Sequence, residues 1–332
     1  MTTRPSSEHP LFPHSNLPPL IALLAPHLPH TLPVYSILQT PGFDVPVYAS
    51  FSPEQAGDLD ETKPFFILAD LGSQLRSFCS YETKTALTDE EKIAAEDLIV
   101  GAFKWYLREH RNGRDVVRIG AIPDIWTGAI ARSFSKPFYP SNIHYQPLSS
   151  SSAASSDATS PDFEVPEGLI AGLVEERHIE QILSTSDVPH PPSYILTRLL
   201  HNSALFSTPS SSTTLSSTPS SDPGSSSSSS PPASPELIGH CITHRDGSIG
   251  TLFVSPSHRQ HGLGSLILRH RMSAMALPSY PAVNVEGAER FAFCYVSPKN
   301  EGSRKLMKNI GMKETEWCVS WAVVELPLQD WS

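Results

Sequence analysis

The residues in this sequence best suited to chemistry lie in one stretch, Gly250–Ser265, which reads Gly-Thr-Leu-Phe-Val-Ser-Pro-Ser-His-Arg-Gln-His-Gly-Leu-Gly-Ser. Its first part, Ile249–Val254, is a short β-rich apolar run, and Pro256 ends it because proline cannot continue a strand ladder. Beyond Arg259-Gln-His-Gly262-Leu-Gly264, apolar residues recur at 263, 266, 267, 272 and 275, a helical spacing. The local expectation is strand, tight turn, helix. A helix that opens at glycines presents unpaired N–H groups and its positive dipole end, and glycine lets a ligand approach the backbone closely. That is a device for a phosphate or pyrophosphate. Two common phosphate motifs are excluded. The dinucleotide fingerprint needs a third glycine where Ile267 stands, and no Gly-Lys-Ser/Thr triplet follows Gly264.

The spacing that is present is V-x-P-x-x-R-x-x-G-x-G, carried by Val254, Pro256, Arg259, Gly262 and Gly264. It resembles the coenzyme A pyrophosphate loop of the GNAT N-acyltransferase superfamily. A second segment, Asn300-Glu-Gly-Ser-Arg-Lys-Leu-Met-Lys-Asn-Ile-Gly-Met312, resembles that superfamily's N-x-x-S-x-x-L-Y-x-K-x-G-F motif. Leu20–Leu38, and Leu173–Leu183 with His178 and Glu180, are similar to the starts of the two domains of glycine N-acyltransferase-like proteins. In those proteins a degenerate, non-catalytic acyltransferase-like domain precedes the active one. The resemblance implies transfer of an acyl group, acetyl in the first instance, from acetyl-CoA or another acyl-CoA to a primary amine of a small molecule or peptide. It implies that Leu252, Phe253 and Val254 pair with the pantetheine amides, as a peptide adds to a sheet edge. Gln260, His261, Gly262, Leu263, Gly264 and Ser265 would hold the pyrophosphate through their backbone, Arg259 would add charge, and Asn300 and Ser303 would face the coenzyme arm. Arg269 is read equally well as a solvated surface arginine.

Such a reaction needs a neutral amine, near-attack positioning, an oxyanion donor and a tolerated thiolate. The residues that handle protons in the relatives are replaced here. Ser248 stands where glycine N-acyltransferases carry their proposed base glutamate, and Met307 stands where the superfamily's tyrosine acid falls. Candidates for catalysis are therefore His240, with an ordinary pKa near neutrality, Tyr295 and Ser248 itself. Without them, proximity and a water proton acceptor remain. His240, Cys241 and His244 lack a second ligand pair at zinc spacing, so no metal is expected. The competing class is a coenzyme A-binding or interaction protein without catalysis, motivated by Ser248 and Met307.

Two low-complexity segments divide the sequence. Ser149–Ser160 reads as a linker, and the Ser/Thr/Pro-rich Ser207–Pro235 as a disordered insertion. The expected organisation is α+β, with two tandem acyltransferase-like domains of mixed central sheet. Residues 1–148 form the degenerate domain, 149–161 the linker, and 162–332 the domain with the coenzyme loop. In the first part the reading gives a short helix at Leu20–Leu28, strands at Val34–Leu38 and Val47–Phe51, a hairpin of Phe65–Leu71 with Leu75–Tyr81, and a helix opened by the capping box Thr88–Glu91. A strand at Val116–Ile122 and a helix at Ile125–Phe134 follow. In the second it gives a strand at Gly168–Leu173, helices at Glu175–Leu183 and Pro191–Asn202, and paired strands Ser203–Phe206 and Glu236–Thr243. The motif strand and helix come next, then the strand Phe291–Val296. A helix capped by Ser297-Pro298 and a strand Thr315–Leu326, with Trp317, Val319, Trp321 and Val323 on one face, complete the pattern.

The formal net charge of −10 offers no footprint for nucleic acid or an anionic membrane. No apolar run approaches 18 residues, and Met1–Pro19 lacks a secretory apolar core, so a cytoplasmic location is expected. The cysteines show no framework spacing, and Cys241, Cys294 and Cys318 read as buried free thiols of a reducing compartment.

Overall fold

The computed structural model describes residues 9–40, 45–110, 113–148, 164–208, 234–277, 280 and 288–326. Ser149–Ser160 and most of Ser207–Pro235 lie outside the described residues. The chain divides into two compact units, Met1–Ala158 with Thr243–Gly250 and Met272–Ser332, and Thr159–Ile242 with Thr251–Arg271.

The first unit is built on an eight-stranded sheet in the order β1-β2-β3-β4-β5-β12-β6-β11. Its strands are β1 (Phe12–Pro13), β2 (Val47–Ala49), β3 (Phe66–Asp70), β4 (Gln74–Cys79), β5 (Val116–Pro123), β6 (Phe138–Pro147), β11 (Phe291–Val296) and β12 (Lys313–Glu325). The sheet is mixed, since β4 and β5 run parallel while the other pairs with a known register are antiparallel. Alternation along its strands feeds two cores. Phe66, Leu68, Leu75, Val117, Ile119, Ala322 and Val324 pack with α3 (Asp89–Glu109) and α4 (Asp124–Ser133). Val47, Ile67 and Phe78 pack with α1 (Pro18–Leu24) and α2 (Leu32–Gln39). Helix α3 begins at the capping box: Glu91 N–H donates to Thr88 Oγ1 at 3.2 Å, and Thr88 N–H donates to a Glu91 carboxylate oxygen at 2.9 Å.

The second unit carries a four-stranded sheet in the order β10-β9-β8-β7. Its strands are β7 (Leu169–Gly172), β8 (Asn202–Ser207), β9 (Leu237–Thr243) and β10 (Ile249–Val254). Helices α5 (Ile179–Thr185) and α6 (Pro192–Leu196) supply Ile182 and Ile195 to a core with Ala204, Phe206 and Ile242. The motif helix α7 (Leu263–Ala276), like β10, has residues in both units, and α8 (Glu301–Asn309) belongs to the first.

Most elements fall where the sequence places them, with four differences. Val34–Leu38 is helical, not a strand: every residue of α2 is buried, so the helix shows no polar face and its Val, Tyr and Ile imitate a strand. The helix expected over Pro191–Asn202 is only the short α6, followed by turns, and Asn202 already begins β8. Ser297 does not cap α8; the N-cap is Asn300, whose Oδ1 accepts the Ser303 N–H at 3.0 Å. Strand β6 is absent from the sequence reading because its Pro140, Ser141, Asn142, His144 and Gln146 give no apolar alternation. It is held as an inner strand, and Asn142 Nδ2 donates to the Thr315 and Trp317 carbonyls of β12 at 3.0 and 3.3 Å. The last strands therefore share a sheet with β5 and β6, and these compact units differ from a division at 149–161. Of the four residues expected on one face of β12, Trp317, Val319 and Trp321 share one apolar cluster and Val323 is not part of it. No helix among the described residues is long and apolar enough to cross a membrane.

Candidate functional site

The strand, turn and helix of the glycine-containing motif form where the spacing predicts. β10 is an edge strand of its sheet. Thr251 on it has φ of 52°, a left-handed conformation that a β-branched residue rarely adopts. It interrupts regular strand geometry just before Leu252–Val254. A single 3-10 turn, Pro256–His258, follows, and the Arg259 Nε–H donates back to the Val254 carbonyl at 3.0 Å. Its guanidinium lies 5.9 Å from the Phe253 ring. Arginine thus ties the turn to the strand while the residue as a whole stays exposed. Gln260 and Gly262 both have positive φ, 66° and 76°. A Cβ at Gly262 would meet nothing within 4 Å, so glycine is required there by conformation and not by packing.

Leu263 begins α7, and the Leu266 N–H donates to the Gly262 carbonyl at 3.1 Å. The first-turn N–H groups, Leu263, Gly264 and Ser265 among them, have no acceptor within the helix. The Leu263 side chain is buried, which leaves only its backbone N–H available at the helix start. His261 and Arg269 are exposed, and His258 Nδ1 is paired with Ser257 Oγ at 2.9 Å. Asn300 and Ser303 meet at the start of α8, where the side chain of one caps the backbone of the other.

His240 departs from its expected chemistry. It is fully buried on β9, its ring 5.8 Å from that of Phe253, and neither ring nitrogen has a hydrogen-bond partner among the described residues. Burial, with a smaller push from His178, lowers its pKa to about 4. A neutral imidazole with so little affinity for a proton is a poor base near neutrality. Cys241 and Cys294 are buried as expected, their thiols pushed up to about 12 by burial, while Cys318 is partly exposed. No group of three or more potential metal-ligating side chains is present among the described residues.

Ser248 and Tyr295 are brought together by Asp246, a residue of the turn between β9 and β10 that is absent from the sequence-derived candidates. Asp246, 2% exposed, accepts from Ser248 N–H at 3.1 Å and Ser248 Oγ–H at 2.6 Å on one oxygen. On the other it accepts from Arg76 Nε at 3.1 Å, Arg76 Nη2 at 2.8 Å and Tyr295 O–H at 3.3 Å. Burial alone would raise the Asp246 pKa, but Arg76, His244 and the bonds from Ser248 and Arg76 outweigh it and hold the carboxyl below its ordinary value. Tyr295 moves the other way: burial first, then the Asp246 charge, push its hydroxyl well above the usual tyrosine value. The Arg76 guanidinium lies against Gly120, where any Cβ would collide with Arg76 Nη1 and come within 2.8 Å of Trp321 Nε1. Asp246 was hidden by its Asp-Gly turn signal, and Arg76 by lying in an apolar hairpin strand. A basic residue inside such a strand was the one available clue.

Beside this turn, Ser36, Gln39, Gly247, Arg290 and Phe291 line a cavity of about 30 Å³. That is space for a water or two and not for an acyl acceptor.

Residues 231–322 match the family described as FR47-like protein. No curated protein matches the chain. Among solved structures, a Drosophila protein is 15% identical, with a TM-score of 0.58 over 96% of this chain and 98% of its own. A tandem GNAT protein from the clavulanic acid biosynthesis pathway is 12% identical, with a TM-score of 0.47 over 97% of this chain and 99% of its own. A GCN5-related N-acetyltransferase from Sphaerobacter thermophilus is 12% identical, with a TM-score of 0.44 over 81% and 79%. The FR47-like match runs from β9 into β12, and the likeness to the Drosophila structure extends over the whole two-unit α+β fold.

Proposed function

We propose that the protein is an acyl-CoA-dependent N-acyltransferase that acts on a primary amine of a small molecule or peptide, with acetyl-CoA as the first donor to consider. The observation that carries this reading is the strand–turn–helix of β10 and α7. It combines an open strand edge, a turn with a left-handed position on either side of His261, and first-turn N–H groups with no helical acceptor. The Leu252–Val254 backbone receives the pantetheine amides, and residues 260–265 receive the pyrophosphate. The FR47-like match across the same residues supports it. The resemblance to glycine N-acyltransferase-like proteins narrows the proposal to that family.

In the reaction the neutral amine nitrogen attacks the thioester carbonyl carbon. The C–N bond forms, the C–S bond breaks, and coenzyme A leaves as thiolate. The amine's surplus proton leaves to water, because His240 is buried with little basicity and Asp246 is fully occupied by donors. Positioning and backbone donors then carry most of the rate.

A second reading, a coenzyme A-binding protein without turnover, is favoured by one observation: the hydroxyl protons of Ser248 and Tyr295 both go to Asp246. The experiment that separates the two is release of free thiol from acetyl-CoA by the purified protein, against amino acids, polyamines and peptides. Turnover that disappears in Gly264→Asp establishes the enzyme. Coenzyme binding without thiol release, for acetyl and longer acyl donors alike, establishes the binding protein.

A further inference from the structure

Within the second compact unit, one side chain joins the open edge of β10 to the turn that follows it. Ser255 N–H donates to the Ile238 carbonyl of β9 at 2.8 Å, and a Cβ at Gly239 of β9 would come within 2.7 Å of the Phe253 carbonyl oxygen. Residues 253 and 255 thus turn their backbone groups toward β9, and by the alternation of a strand Leu252 and Val254 turn theirs to the open edge. The Val254 carbonyl, the last acceptor on that edge of β10, takes the Arg259 Nε–H at 3.0 Å. The same guanidinium lies 5.9 Å from the Phe253 ring, a cation–π distance that keeps it along the strand. The Leu252 N–H and carbonyl and the Val254 N–H remain for a ligand that pairs with the edge, and beyond them a ligand must leave the strand. Arg259 is itself extended, with φ of −70° and ψ of 161°, and leads directly into Gln260 at φ of 66°. A residue other than glycine persists at positive φ only where its surroundings over-determine it. The tied Arg259 fixes one side of Gln260, and helix α7 fixes the other.

We propose that Arg259 is a positioning residue for the coenzyme: its Nε–H, bonded to the Val254 carbonyl, ends strand pairing at Val254 and sets the distance from that edge to the pyrophosphate turn. This rests on the acyltransferase reading, and it replaces the role of a cation for the phosphates with that of a tie. An exposed charge contributes little in water and is screened by salt, whereas a tie depends on a donor at one place in the side chain. Glutamine carries its amide nitrogen the same number of bonds from Cα as the arginine Nε, and so keeps the donor while losing the charge. Lysine has a methylene there and its ammonium a bond further out, so it keeps the charge while losing the donor at that place. Methionine fills the same length with neither.

The test is coenzyme A binding by calorimetry at low and at high salt, for the wild-type chain and for Arg259→Gln, Arg259→Lys and Arg259→Met, with thermal unfolding to show that each is folded. Expected is binding by Arg259→Gln within about twofold of wild type, while Arg259→Lys and Arg259→Met lose about three- to tenfold, the worth of one hydrogen bond. The ratio to wild type should be the same at both salt concentrations, because geometry is not screened. The reverse order, with Arg259→Lys retained and Arg259→Gln weakened by a factor that shrinks as salt rises, makes Arg259 a cation for the phosphates. That result overturns this assignment and leaves the acyltransferase reading standing. Wild-type affinity in every variant, or an equal loss in every variant, overturns it as well. The comparison of glutamine with lysine decides even where Arg259→Met fails to fold. Absence of coenzyme A binding by the wild-type chain overturns both readings.

Discussion

At the scale of single residues, the two histidine and threonine positions that depart from ordinary behaviour make separable claims. His240 carries two unpartnered nitrogens in an apolar site. Replacing it with phenylalanine should leave acyl transfer intact, which a catalytic base would not permit. The same change should move acid unfolding to lower pH. The sign follows from its pKa of about 4: the unfolded chain binds a proton near the ordinary value of about 6.5, so stability present above that value is lost as pH falls toward 4. Thr251 is held at a φ of 52°. Thr251→Gly should relieve about 1 kcal/mol of backbone strain, read as a raised unfolding midpoint in denaturant. A lowered midpoint would show that the threonine side chain contributes more than its conformation costs. Neither property is visible in the sequence, because burial and backbone dihedrals are decided by what packs around a residue. Asp246 is the sharper case. Asp-Gly is a strong turn signal, and nothing local announces that its carboxylate meets a guanidinium from β4.

At the scale of elements, the motif was the legible part. Proline, arginine and two glycines at fixed spacing define a strand, a turn and a helix start with little freedom, and the structure places all three there. The turn predicts a graded response. Gly262→Ala has room for its methyl group but must adopt φ of 76°, so it should cost roughly 1 kcal/mol of stability and still bind coenzyme A. Gly262→Asp adds a negative charge at the helix start and should abolish binding in a folded protein. Equal binding by all three proteins, measured by calorimetry, would remove the pyrophosphate assignment. On α8 the cap is Asn300, and Asn300→Ala should lower stability by about 1 kcal/mol. Helix α2 and strand β6 were illegible for opposite reasons: one is buried on every side and has no period to read, the other is too polar to look like an inner strand.

At the scale of the whole molecule, the sequence gives two low-complexity segments and two sets of elements, but strand order depends on distant pairing. β12 lies between β5 and β6, so a fragment of residues 1–148 lacks the strand that joins them. It should fail to unfold cooperatively in a thermal melt, and a cooperative transition would show that the first part folds alone. A buried acid adds a pH dependence to the full chain. Glu82 is pushed up to about 8 by burial, against donors from Cys79 N–H and Trp126 Nε1–H that favour its charge. Its stabilisation is complete below the ordinary glutamate pKa of about 4.3 and declines as pH rises through 8, by about 1.4 kcal/mol per unit at most. Glu82→Gln should therefore raise the melting temperature more at pH 8 than at pH 5, and an equal shift at both would mean that the group titrates normally.

The central place of β12 also sets a timetable. A ribosome makes β5 and β6 long before β12, and at ordinary translation speed the interval is on the order of ten seconds or more. Throughout it, the nascent chain carries two unpaired strand edges with Ile119, Ile122 and Ile143 beside them, all of which end up buried. Such a chain has reason to be a client of ribosome-associated chaperones, and the sheet closes only after synthesis has passed residue 325.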